Sequence, residues 1–149
     1  MDRMNSKLVT ALRLSLGAGF LFFGLNGFFH FAPMPPMPDR AGAFLGALAA
    51  TGYMFPLIKG TEVVAGLLLL SNRFVPLALV LLAPVLVNIL AFHVLLAPAG
   101  TAPGAVLLLF ELALAYAYRA SFRGVLAARA EPATASETGG PVGVPVAAE

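Results

Sequence analysis

The chain contains no cysteine. That excludes disulfides, iron–sulfur clusters, thiolate metal sites and thiol–disulfide exchange by this chain alone. Redox chemistry here would need a bound quinone, a metal held by histidine and carboxylate, or a partner. Charge is also scarce: 11% of the 149 residues are charged, against about 25% in soluble domains. No Walker A loop, G-x-G-x-x-G, H-E-x-x-H or G-x-S-x-G pattern occurs, so the common phosphate, dinucleotide, zinc-protease and serine-hydrolase signatures are missing. The pI near 9.4 comes from a few scattered basic residues without a Lys/Arg-rich block. Nucleic-acid binding is therefore not expected, nor is haem ligation.

What remains is apolar. Hydrophobic residues make up 60% of the chain and mean hydropathy is +0.92. They form long unbroken runs, and a membrane span needs about 20 such residues. The expected fold is all-α: an integral membrane four-helix bundle over residues 1–123, with spans at about 14–32, 54–71, 74–97 and 103–120. Residues 33–40 are proline-rich and end the first helix. The apolar stretch 41–52 is too short to span and predicts an interfacial or re-entrant helix, with Tyr53 at headgroup level. Residues 124–149 have no helical period and predict a disordered cytoplasmic tail. A signal peptide is the competing reading of 14–32, but the run is long and no A-x-A-like site follows. A five-span alternative would split 41–97 into three and bury Arg73.

Four spans place Arg3, Lys7, Arg13, Arg73, Arg119, Arg123 and Arg129 on one side and only Arg40 on the other. By the positive-inside rule both termini face the cytoplasm.

Seven polar residues fall inside the spans, where such groups are functional candidates by default. They are Asn26 and His30 in the first, Lys59 and Glu62 in the second, Asn88 and His93 in the third, and Glu111 in the fourth. Helical rise places all seven in the middle-to-outer half of the bilayer. This predicts a ligand-binding pocket open to the outer side with Glu62 and Glu111 at its base. Asn26 and His30, four apart, share a helix face, as do Lys59 and Glu62, three apart, which can pair. The alternative is structural: a neutralised Lys59–Glu62 pair, asparagines as interhelical glue, and histidines at headgroup level. No spacing supports a metal site. Gly17, Gly19, Gly24 and Gly27 predict close approach of the first helix to its neighbours, while Pro84 predicts a kink in the third span.

Three segments resemble the DoxX or DoxX-like family of small bacterial membrane proteins: LRLSLGAGFLFFGLNGFFHF, LIKGTEVVAGLLLLSNRFVPLALVLLAPVLVNILAFH and FELALAYAYRASF, over residues 8–123. The K-x-x-E-x-x-x-G-L-L-L-L run from Lys59 to Leu70 is the most specific part. The resemblance implies a four-helix protein of the bacterial inner membrane, associated with redox complexes such as terminal quinol oxidation and thiosulfate:quinone oxidoreduction. A quinone ligand and redox partner subunits would follow from it; a homo-oligomer is a separate expectation, tied to the transporter reading, because four spans without an inverted repeat would have to oligomerise to transport. The absence of cysteine argues against sulfur handling. A non-catalytic assembly factor and a small transporter are the other readings.

Overall fold

The computed structural model describes residues 4–33 and 35–129. Its first helix, α1 (Ser6–Phe29), starts eight residues before the expected span, because Asn5 caps it by accepting the Lys7 N–H at 2.9 Å. The helix also ends early. His30 turns into the left-handed region (φ 51°), and the Asn26 side chain pairs with the Ala32 backbone in both directions, at 2.7 and 3.2 Å.

Helix α2 (Asp39–Ala50) follows the proline-rich stretch and meets α3 (Met54–Leu70) at 93°. The turn after α3 is a Schellman motif. The Arg73 N–H bonds Leu68 O, the Asn72 N–H bonds Leu69 O, and Asn72 takes the left-handed conformation at φ 56°. Pro76 lies in the first turn of α4 (Val75–Leu95), where its missing N–H has no helical partner to lose. Despite Pro84, α4 runs unbroken to Leu95. A 3-10 turn at Pro98–Gly100 leads directly into α5 (Thr101–Ala117), and a second 3-10 turn covers Arg119–Phe122. Residues 98–102, between the expected third and fourth spans, are thus helical, and Pro103 falls within the first turn of α5.

All regular structure among the described residues is helical. Three segments are long and apolar enough to cross a membrane: α1, α4, and the run Pro98–Ala117. The fourth candidate is the bent pair of α2 and α3. Alone, α3 has 17 residues, about 25 Å of helix, slightly short of a hydrocarbon core of about 30 Å. At 12 residues, or about 18 Å, α2 is too short to span by itself. Arg73 lies in the turn between α3 and α4. Of the expected tail, residues 130–149 lie outside the described residues, as does Arg3 on the expected cytoplasmic side.

Packing is most extensive between α1 and α3; α4 packs on α3 and α5, α5 returns to α1, and α2 touches α3. The core is Leu16, Phe20, Ala65, Leu69, Leu79, Leu82, Leu86 and Leu114 with their small neighbours. Glycine sets the α1–α3 distance. A Cβ on Gly66 would stand 2.8 Å from the Leu21 backbone nitrogen and 2.9 Å from the Gly17 carbonyl oxygen, so backbone lies against backbone at this crossing.

The distribution of polarity is inverted relative to a soluble protein. Phe22, Phe23, Val64, Leu67, Val87, Leu109 and Leu112 are exposed, while Arg13, Glu62 and Glu111 are buried. Such a surface buries its apolar area only against lipid or another apolar body.

Candidate functional site

Lys59 and Glu62 sit one turn apart on the face of α3 that meets α1. Lys59 Nζ lies 2.9 Å from Glu62 Oε2 and 3.1 Å from Oε1. The Glu62 side chain is 2% exposed and that of Lys59 is 21% exposed. Both fit because α1 has no side chains opposite them. The methylene stem of Lys59 occupies the space a Cβ on Gly27 would need, and Glu62 Cβ lies against Gly24. Thus two of the glycines picked out for close packing also make room for the ion pair.

Glu111 is buried on α5 along the same face as Gly104 and Leu114. Its Oε2 is enclosed and has no hydrogen-bond partner among the described residues. A buried polar oxygen in this state costs about 1–3 kcal/mol. The two glutamates do not share a pocket floor. Glu62 is level with Gly24 of α1, whereas Leu107, one turn before Glu111 in α5, is level with Gly19. Helical rise then separates the two carboxyls along the helix axes by about 13 Å.

The remaining candidates occupy three further places. Asn26 is engaged with the Ala32 backbone, and His30 is the exposed residue that turns the chain there. In the last turn of α4, His93 Nδ1 lies 3.1 Å from Ala97 O. Its ring stacks edge-on to Phe92 and fills the space beside Gly100, closing the α4–α5 connection. Asn88 is exposed on α4, its Nδ2 donating to Pro84 O at 2.9 Å. The only pair of the seven joined side chain to side chain among the described residues is Lys59–Glu62. No cluster of three or more metal-ligating side chains occurs among those residues either.

One buried charge was missed by reading sequence alone. Arg13 was expected on the cytoplasmic flank, yet it lies in the second turn of α1 and is 8% exposed. Its Nη1 donates to Leu69 O and also to Leu70 O at 3.2 Å. These are the last carbonyls of α3, where a cation also favours the helix dipole. The signal was present in the spacing: Arg13, Leu16, Gly17, Phe20 and Gly24 form one buried stripe. Arg13→Ala is expected to cost about 1.5–3 kcal/mol, read as a lower thermal midpoint in detergent, while Lys7→Ala at an exposed position leaves the midpoint unchanged. Equal midpoints for the two variants would exclude this anchoring role.

Comparison with protein families, with characterised proteins and with solved structures yields no match.

Proposed function

We propose that the chain is a DoxX-like four-helix bundle of the bacterial inner membrane, with both termini cytoplasmic, that serves as a component of a membrane redox assembly. In this reading Glu111 meets a small ligand, quinone-type being the class that the family resemblance implies. The observation that carries the proposal is the enclosed, unpartnered Glu111 Oε2. An intramembrane carboxyl without a partner is costly to keep, and a hydrogen-bonding ligand or an exchanged proton would satisfy it. A quinone, when bound, would supply two-electron, two-proton chemistry; the chain's own contribution is a carboxyl able to hold or release a proton at Oε2. Lys59 pairs with Glu62, and Glu111 is the buried carboxyl left without a partner among the described residues.

The exposed apolar surface supports the membrane placement, and the orientation is supported by Lys7 and Arg13 early in α1, Arg73 between α3 and α4, and Arg119 and Arg123 after α5. A second reading is a non-catalytic assembly factor. It is favoured by the way Asn26, His93 and the Lys59–Glu62 pair are each satisfied within the chain.

The deciding measurement is mass spectrometry of quinones and lipids extracted from protein purified in mild detergent, beside Glu111→Gln. The proposal expects a stoichiometric ligand in the wild type and about ten- to a hundredfold less in the variant. An empty wild-type protein, with a variant that expresses and folds equally well, would overturn the ligand reading and favour the assembly one.

A further inference from the structure

We propose that the outward face of α4 around Asn88 is the contact surface for a second copy of this chain. This rests on the membrane placement above but not on the ligand at Glu111.

Asn88 lies 13 residues beyond Val75, the first residue of α4, so about 20 Å from the inner end of the helix and well inside the hydrocarbon. It is exposed there. One of its two amide N–H bonds is used on Pro84 O. The second N–H and Oδ1 have no bond among the described residues, and lipid tails offer none. An exposed amide at this depth calls for a polar partner.

The chemistry of the missing partner is itself an amide. A second Asn88 related by a twofold axis would accept the free N–H on its Oδ1 and return the same bond. Both asparagines would then be satisfied with their Pro84 bonds intact. Such self-complementarity is the hallmark of an isologous contact. The surrounding surface admits it. Ala91 is exposed one turn outward and Pro84 one turn inward, and small side chains let helix backbones approach. On the same helix Leu81, about two turns inward of Asn88, borders a shallow apolar groove of about 330 Å³ whose other lining residues, Pro56, Leu57, Gly60, Thr61 and Val64, belong to α3. Nothing stands within 4 Å of the place a Cβ on Gly60 would occupy, so the groove has room for side chains from the second copy.

The absence of native cysteine makes the test direct. Ala91→Cys and Leu109→Cys are introduced separately into the full chain, Leu109 being 62% exposed on α5. Native membranes are washed with carbonate and then mildly oxidised. We expect a disulfide-linked homodimer at position 91 and none at 109. Adding Asn88→Leu to Ala91→Cys is expected to lower dimer yield about tenfold; the position is exposed, so folding is unaffected. Release by carbonate would overturn the membrane placement and this proposal with it. Retention without a cross-link at 91 overturns the proposal alone. So would equal yields at 91 and 109, an adduct of another mass, or indifference to Asn88→Leu.

Discussion

Lys59→Ala is expected to destabilise the protein by about 3–5 kcal/mol, the range seen when one partner of a buried ion pair is removed. The reason is Glu62. Its side chain is 2% exposed and its carboxylate receives both recorded hydrogen bonds from Lys59 Nζ. Without the ammonium, a carboxylate stays enclosed between α1 and α3 without the partner that pairs with it in the intact protein. Replacing both partners together, Lys59→Met with Glu62→Leu, removes both desolvation penalties at once. That double variant is expected to recover most of the loss. Denaturation midpoints of the three proteins in one detergent provide the check. If the single variant melts with the wild type, the pair does not hold the α1–α3 interface together.

Gly66→Val should be nearly as damaging, by about 3 kcal/mol. A Cβ at this position would stand 2.8 Å from Leu21 N and 2.9 Å from Gly17 O. Both are backbone atoms, so no rotamer change relieves the clash and the two helices must move apart. That movement would also draw Arg13 away from Leu69 O. Gly46→Ala in α2 is the matched control, because nothing lies within 4 Å of its Cβ position. There alanine is expected to gain about 0.5–1 kcal/mol from helix propensity. Circular dichroism melts distinguish the two, and a Gly66 variant as stable as this control would disprove close backbone packing at the crossing.

Much of the helical architecture is legible from apolar run length. Residues 54–71 and 74–97 were expected as helices, and α3 and α4 occupy Met54–Leu70 and Val75–Leu95. Helix ends were less legible, because they depend on side-chain bonds to backbone. Asn5 extended α1 toward the N-terminus, and Asn26 ended it by holding Ala32. The same residue that looked like a pocket donor is therefore engaged in a turn, a role no periodicity reveals.

The polar residues divide along the same line. Spacing alone makes Lys59 and Glu62 neighbours, since residues three apart on a helix face one another. Whether Glu111 joins them depends on how α5 is offset against α1, which is set by Leu107 meeting Gly19 and by Gly104 meeting Ile89, Leu90 and His93. Arg13 looked like a flanking charge until its carbonyl partners on α3, 56 and 57 residues away, were in place.

Composition and run length by themselves determined that this chain is helical, apolar on a membrane scale and without thiol chemistry, because each of these follows from residue type and local order. Only the tertiary structure decided which buried charges are compensated and which is left over. The compensation of Glu62 and Arg13 and the isolation of Glu111 depend on distances between helices, and those distances come from glycine contacts and side-chain packing between segments far apart in the chain.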